Sequence, residues 1–222
     1  MIAGPNGSGK TTLTDQLRRT GLDLGSYINA DEIDRGLPGP ASEARSKRAQ
    51  ALADQWRREC LAAGASFSFE TVMSHRSKID LLQEARALGY AVSIYFVALE
   101  TPKLNLERVR QRVSLGGHDV PEDRIGPRYD RCLALLPDAL AQCDRAVLFD
   151  NSYRSEARGP IRMIPFCEVR RIDVKGEPDR FQYLTPVGRL LTRAHILRLP
   201  LWSRSLLRNV AHRQISAAAD HR

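Results

Sequence analysis

Along the first 150 residues, apolar positions switch repeatedly between the helical period and short unbroken runs. Leu13 and Leu17 mark the inner side of a helix that follows a glycine-rich turn. A short strand-like stretch, Ser26-Tyr27-Ile28-Asn29-Ala30, ends at Asp31-Glu32. Ser42 can cap a helix in which Ala49, Leu52, Ala53, Trp56 and Cys60 fall at i, i+3, i+4, i+7 and i+11, with Gly64 as its stop. Ser66-Phe67-Ser68-Phe69 predicts a strand running into Glu70-Thr71. Ser77 opens a helix with Leu81, Leu82, Ala85 and Leu88 inward, stopped by Gly89. Residues 90–99 are apolar, β-branched or aromatic, as in a buried strand. Thr101-Pro102 is a cap followed by proline at the first helical position. That helix is expected to run to about Leu115 and to break at Gly116-Gly117. Another starts at 119–121 and ends near Pro137. Residues 145–150 are the last clear strand of this part. Strand–helix alternation of this kind is the pattern of βαβ units around a parallel sheet. The predicted fold is α/β: three layers around a mostly parallel sheet.

Beyond Arg154 the pattern changes. Residues 169–174 and 180–184, separated by Lys175-Gly176-Glu177-Pro178-Asp179, predict a hairpin or two edge strands. Val187, Leu190, Leu191, Ala194 and Leu197 share one helical face, with Arg189 and Arg193 to the side and Pro200 as the stop. Trp202, Leu206, Leu207 and Val210 predict a short second helix. A basic amphipathic helix can lie on an anionic surface, bind a partner or pack back on its own domain. The expected organisation is therefore an α/β domain over 1–153, with a lid over about 104–136, and a basic C-terminal segment over 154–222.

The chemistry starts at the N-terminus. Gly4-Pro5-Asn6-Gly7-Ser8-Gly9-Lys10-Thr11 satisfies G-x-x-x-x-G-K-[ST] at every position, and Thr12 continues into the helix. Glycine tolerates the positive φ that turns backbone N–H groups inward, so the loop and the helix N-terminus form a nest for phosphate oxygens. Lys10 adds a positive charge for the β and γ phosphates. The Thr11 hydroxyl suits Mg²⁺, which keeps most of its waters and takes few protein ligands. A P-loop normally follows a strand of four to eight residues, yet only Met1-Ile2-Ala3 precede Gly4. Either that strand is a stub, or the natural chain starts further upstream. The second is the expectation, because each apolar side chain lost from a central strand costs roughly 1.5–3 kcal/mol.

Composition narrows the classes. At 222 residues with 42% hydrophobic content, the chain can bury a real core. No run of 18 or more apolar residues exists, so no membrane-spanning helix is expected. Cys60, Cys132, Cys143 and Cys167 have neither C-x-x-C spacing nor histidine companions, which suits reduced thiols in a cytoplasmic protein and argues against structural zinc. The net charge is +8, but residues 1–153 hold 20 basic and 20 acidic side chains. The excess lies in the last 69 residues, with 14 basic against 6 acidic. A nucleic-acid groove across the P-loop domain is thus disfavoured.

In such a sheet, ligands sit beyond the carboxyl ends of the strands. Asp31 stands where a small-molecule kinase needs a carboxylate to orient a hydroxyl and take its proton, or else it caps the following helix. Glu70 could support the Mg²⁺ shell through water, could bind a substrate hydroxyl together with Thr71, or could be a solvated strand end. Asp150-Asn151 suits a turn or an adenine-side contact better than catalysis. Arg108 and Arg112 share a helical face, as do Arg124 and Arg128 on the next helix. Two arginine-bearing helices joined by Gly116-Gly117-His118-Asp119-Val120-Pro121 could form a lid over the nucleotide, since arginine binds phosphate bidentately. They could equally be solvated faces paired with Glu107 and Glu122. His118 is assigned to the joint alone.

With these pieces in order, the chain resembles the zeta-toxin family of P-loop kinases. The resemblance rests on residues 3–13, on Ile28-Asn29-Ala30-Asp31, on Phe69-Glu70-Thr71 and on the run 108–136 with its Gly-Gly-His-Asp-Val-Pro joint, and it covers roughly residues 2–153. It implies ATP- and Mg²⁺-dependent phosphorylation of a small-molecule hydroxyl, of which UDP-N-acetylglucosamine is the family's best-known example. By position it implies Lys10 at the β/γ phosphates, Asp31 as base, Glu70 holding substrate, and Arg112 with Arg124 or Arg128 clamping the transferred phosphoryl. Where the toxins carry Glu-Gly-Thr, this chain has Glu70-Thr71-Val72. The family's antitoxin would dock on a region before the P-loop, where this chain offers three residues. Two other readings compete: an ATP-binding switch whose basic C-terminal segment contacts a partner, and a nucleic-acid-processing enzyme, which the neutral P-loop half disfavours.

Overall fold

The computed structural model describes residues 1–117, 119–152, 163–172, 180–204 and 206–207. Its seven-stranded sheet runs β2-β3-β1-β4-β5-β6-β7. The strands are β1 (Ile2–Ala3), β2 (Ser26–Ile28), β3 (Phe67–Thr71), β4 (Ser93–Ala98), β5 (Arg145–Asp150), β6 (Pro165–Ile172) and β7 (Arg180–Leu184). The first five pair in parallel; β6 and β7 add antiparallel strands on the β5 edge. The mostly parallel α/β architecture is the one the alternating pattern predicts.

The helices are α1 (Lys10–Arg19), α2 (Ala30–Gly36), α3 (Glu43–Ala62), α4 (Ser77–Ala87), α5 (Pro102–Ser114), α6 (Glu122–Ala141) and α7 (Arg193–Ile196). Alternation along β4 divides the core in two. Val97 meets Ile2, Val147, Phe149 and α1 residues Leu13 and Leu17 on one face. Ile94, Phe96 and Ala98 meet α3, α4 and α6 on the other.

Several local expectations change. Trp56 is 42% exposed, and the buried stripe of α3 is Ala49, Ala53, Arg57 and Leu61. Leu88 is exposed past the end of α4. Asp31 does not cap α2: Asn29 does, its side chain accepting from the Asp31 N–H at 2.9 Å. The helix at Glu122 continues through Pro137 to Ala141. An interior proline costs about 3 kcal/mol. Burying Leu136 and Leu140 offsets this at roughly 1.5–3 kcal/mol each.

Gly116-Gly117 forms a defined helix end. The Gly116 N–H donates to Val113 O and the Gly117 N–H to Arg112 O, both at 2.9 Å, with Gly116 at φ +81°. This is a Schellman cap, which satisfies the last carbonyls of α5. Arg110 and Glu122 then tie α5 to α6 through two contacts of 2.5 and 2.6 Å.

The helix expected over 187–197 is not formed; only Arg193–Ile196 is helical. The Gly188 N–H donates to Thr185 O, the Thr185 N–H to Arg189 O, and Leu190 bridges back to Leu184. Gly188 at φ +78° makes this return possible and removes the residues a helix would need. Leu191, Ile196, Leu199, Trp202 and Leu207 join the main core, and the Trp202 ring packs at 5.7 Å from Phe96 and 5.4 Å from Phe166. The expectations for His118, for the connection 175–179 and for Val210 lie outside the described residues.

Candidate active site

β1 is the shortest strand and sits between β3 and β4. Its carboxyl end feeds directly into the phosphate loop. The Gly4 N–H donates to Thr71 O at 3.2 Å, joining the loop to the end of β3. Three glycines are required by their surroundings. A Cβ on Gly4 would lie 2.0 Å from Val97 O. On Gly7 it would lie 2.7 Å from Asn105 O, and on Gly9, at φ +99°, 2.6 Å from Asn151 Nδ2.

Two asparagines brace the loop from outside. Asn105 Nδ2 donates to Asn6 O at 2.5 Å, and Asn151 Nδ2 donates to Ser8 O at 2.9 Å. Arg108 Nη2 holds Asn151 through its carbonyl at 2.6 Å. Sequence reasoning missed this role for Asn105, which sits on an ordinary helical stretch with no local signal. For Asn151 the signal was its place at the end of a strand.

Lys10 Nζ donates to Gly4 O at 3.0 Å and Pro5 O at 3.1 Å. Desolvation lowers the Lys10 pKa, while Glu70 and Asp31 work against that shift. Ser8 Oγ and Asn6 Oδ1 are buried without a hydrogen-bond partner among the described residues. Unsatisfied buried polar atoms in a glycine cradle at a helix N-terminus fit a phosphate ligand.

Glu70 ends β3 as the centre of a hydroxyl network. Its Oε1 accepts from Thr14 Oγ1 at 2.5 Å and from Tyr27 OH at 2.7 Å; its Oε2 accepts from Thr11 Oγ1 at 3.3 Å. Asn29 Nδ2 donates to the Tyr27 oxygen at 3.0 Å, and the Arg18 guanidinium lies 4.2 Å from the Tyr27 ring centroid. Burial and the Glu70 carboxylate push the Tyr27 pKa upward, keeping the phenol a donor. Thr11 and Glu70 together offer hard oxygen ligands of the kind Mg²⁺ takes, one carboxylate beside a phosphate-bearing ligand. No cluster of three or more His, Cys, Asp or Glu suited to a metal exists among the described residues.

These groups open into one cavity of about 470 Å³. Lys10, Thr11 and Thr12 form its floor, and Asp31, Glu70 and Thr71 stand at the strand ends. Arg108, Arg112 and Arg128 line it from α5 and α6. Arg124 is not among the lining residues: it is exposed in the first turn of α6, one turn before Arg128. Burial and the neighbouring Arg124 and Arg131 charges lower the Arg128 pKa, marking a crowded cationic edge. The opposite wall was not anticipated. It carries Asp54 and Arg57 from α3 and Lys78 from α4. Lys78 Nζ lies 2.8 Å from Asp54 Oδ1, and Arg57 Nη2 contacts the same oxygen. Burial would raise the Asp54 pKa, but hydrogen bonds from Lys78 and Arg57 outweigh it and hold the carboxyl below its usual range. The lining holds six Lys or Arg side chains against three carboxylates.

A phosphate loop beyond the central strand of a parallel sheet, with a carboxylate and arginines facing it, defines the class as P-loop kinase. Residues 1–152 match the Zeta toxin family model, and the chain belongs to that family. Solved structures share the fold. A chain of the native AvrRxo1-ORF1:-ORF2 complex is similar with TM-score 0.56 and 18% identity, over 76% of this chain and 58% of that one. A chain from the PezAT chromosomal toxin–antitoxin system of Streptococcus pneumoniae is similar with TM-score 0.50 and 17% identity, over 68% and 66%. This chain thus spans less than two thirds of either. An uncharacterized protein of Haemophilus influenzae is 28% identical over 130 residues, 58% of this chain and 90% of that protein. No helix among the described residues is long and apolar enough to cross a membrane.

Proposed function

We propose that the protein transfers the γ-phosphoryl group of ATP to a hydroxyl of a small molecule, a nucleotide sugar such as UDP-N-acetylglucosamine being the favoured acceptor. The observation that carries this reading is the shared cavity: Lys10, Asp31, Glu70 and Thr11 meet Arg112 and Arg128 around one space.

The residues divide the work. The loop N–H groups and Lys10 hold the β and γ phosphates. Thr11, with Glu70 behind it, would hold Mg²⁺, which neutralises charge on the phosphates when bound. Asp31 orients the acceptor hydroxyl and takes its proton as the new O–P bond forms. The bond from the γ-phosphorus to the bridging oxygen breaks, and ADP leaves with that electron pair. Arg112 and Arg128 bind the equatorial oxygens of the transferred group, where negative charge is spread in the transition state. Arg108 is committed to Asn151 and steadies the loop. The helices α5 and α6 act as the lid. A protein partner of antitoxin type is compatible with the toxin–antitoxin origin of one structural relative.

The test is mass spectrometry of a nucleotide-sugar panel incubated with Mg-ATP and the full chain. A gain of one phosphate that disappears in Lys10→Ala and Asp31→Ala supports the reading, with Asp31→Ala lowering turnover about 10²–10⁴-fold while ATP binding survives. ATP bound with no acceptor modified across nucleotide sugars and simple sugars overturns it in favour of a nucleotide-dependent switch.

A further inference from the structure

The chain after β5 is tied to the phosphate loop from two sides. The family match ends at residue 152, yet Met163 lies in the core with Ile2, Leu13, Leu17 and Phe149. One side chain of α1 holds its backbone. Gln16 Nε2 donates to Met163 O at 2.8 Å, and the Met163 N–H donates to Gln16 Oε1 at 2.7 Å. A single amide thus satisfies both backbone groups of a residue 147 positions away, as a rung of a β-ladder would. The Met163 side chain also presses on the loop: a Cβ at Gly9 would meet its Cε at 2.8 Å.

The second tie lies on the other face of the sheet. Trp202 is buried against Phe96 and Phe166, and its Nε1 donates to Asp150 Oδ1 at 3.3 Å. The same oxygen accepts from Ser152 Oγ at 2.6 Å, and Ser152 Oγ accepts from the Glu100 N–H at 2.8 Å. These contacts fix both neighbours of Asn151, the residue whose amide holds Ser8 O in the phosphate loop. A phenyl ring would serve packing alone; the indole N–H is aimed at the turn that carries Asn151.

Both ties converge on the same backbone. Phosphate binding depends on where the loop N–H groups point, so whatever fixes Ser8 and Gly9 fixes the site. β6 joins the two ties, since Phe166, which packs against Trp202, is three residues from Met163. The strand itself pairs along β5, with Pro165 opposite Phe149.

We infer that the segment after β5 is a working part of the nucleotide site, with Gln16 and Trp202 as positioning residues for the phosphate loop. The inference rests on the reading that ATP occupies that loop, and it holds whichever acceptor is used. Gln16 acts through Met163 on Gly9. Trp202 acts through Asp150 and Asn151 on Ser8. Because the contacts are shared, nucleotide and segment stabilise one another. ATP binding tightens β6 and β7 against the core, and loosening them weakens ATP by the same factor.

The test measures the affinity of the full chain for a fluorescent ATP analogue with Mg²⁺, in Gln16→Met and Trp202→Phe. Each substitution keeps most of the side chain's bulk and removes its hydrogen bonds. Each should weaken the analogue about 3–10-fold, as expected for lost hydrogen bonds that hold a binding loop, and the double variant should lose more than either. Far-UV circular dichroism at the assay temperature establishes that each variant is folded. A merely structural role would then lower the melting temperature and leave this affinity unchanged. Should Trp202→Phe fail to fold, Gln16→Met decides alone, since Gln16 is half-buried and lies outside the main core. Hydrogen exchange reads the linkage in the other direction. Saturating analogue should slow amide exchange in β6 and β7, and this slowing should shrink in both variants. Unchanged affinity in the folded variants, or exchange in β6 and β7 indifferent to the analogue, overturns the inference. If the unsubstituted chain binds no analogue, the ATP reading itself fails and the inference falls with it. Analogue bound but no acceptor phosphorylated overturns the transfer reading alone, and the two measurements still decide the inference.

Discussion

The Thr11 hydroxyl lies 3.3 Å from Glu70 Oε2, although 59 positions separate the two residues. The contact exists because β3 pairs with β1 in register, Glu70 opposite Ile2, which brings the end of β3 beside the first turn of α1. Thr14 and Tyr27 anchor the other carboxylate oxygen. Glu70 is therefore held in place next to the hydroxyl best placed for Mg²⁺. Glu70→Gln keeps the shape and removes the charge. Under the proposed function it should raise the Mg²⁺ concentration for half-maximal turnover and lower activity about 10–100-fold. Tyr27→Phe should leave the Mg²⁺ dependence near normal and cost roughly 1 kcal/mol of stability through one lost hydrogen bond. A Mg²⁺ titration of steady-state rates, beside urea denaturation of both variants, separates the two effects.

Asn151 and Asn105 make a second prediction, because each satisfies a carbonyl of the phosphate loop, Ser8 O and Asn6 O respectively. Asn151→Ala strands the Ser8 carbonyl and should cost about 1–3 kcal/mol. It should also weaken ATP, since the loop loses the shape that aims its N–H groups. Gly9→Ala acts on the same contact from the other side: its Cβ would sit 2.6 Å from Asn151 Nδ2, at a φ that L side chains rarely adopt. Binding of a fluorescent ATP analogue should fall in both variants. Unchanged affinity in Asn151→Ala would show that the loop holds its conformation unaided.

What could be read from the chain alone follows from how local each signal is. The phosphate loop, the caps at Ser42 and Thr101 and the strand–helix alternation are written in contiguous residues, and the structure forms them as expected. The Asn29 cap was legible too, since Asn29 and Glu32 stand three apart as in a capping box, but the carboxylate at Asp31 drew the assignment. Arg57 was hidden because helical periodicity admits either Trp56 or its neighbour to the buried face, and apolar character favours the tryptophan. Only the tertiary contact with Phe69 and Asp54 decides for arginine. Asn105 gave no signal at all, since its partner is 99 residues away. The return at Gly188 defeated a helical pattern because turn residues outweigh an apolar stripe of five positions when the chain must come back to pair with Leu184.

The arginines of the lid separate by geometry. Arg112 and Arg128 line the cavity, whereas Arg124 is exposed one turn away from Arg128. Arg112→Ala should lower kcat by about 10³-fold if it binds the transferred phosphoryl as a charge-stabilising arginine does. Arg112→Lys should recover little, because ammonium cannot supply the bidentate fork. Arg124→Ala should change kcat little and raise stability slightly by relieving repulsion on Arg128. A larger loss in Arg124→Ala than in Arg112→Ala would reverse the register and require α6 to turn during the reaction.

The buried thiols give a prediction independent of function. Burial pushes Cys132, Cys143 and Cys167 up from 9.0 to about 12. Between those values each thiol is protonated in the folded chain and ionised in the unfolded one. The folded state then binds more protons, so stability must fall as pH rises through this window and is fully present below it. The urea midpoint should decline above about pH 9, with a slope that shrinks in Cys132→Ala once its cavity cost is subtracted. Alkylation of the native protein at pH 8 should label Cys60, which is half-buried, and spare the other three until urea is added. Rapid labelling of Cys132 in the native state would mean that α6 opens from the sheet face far more often than its place in the core allows.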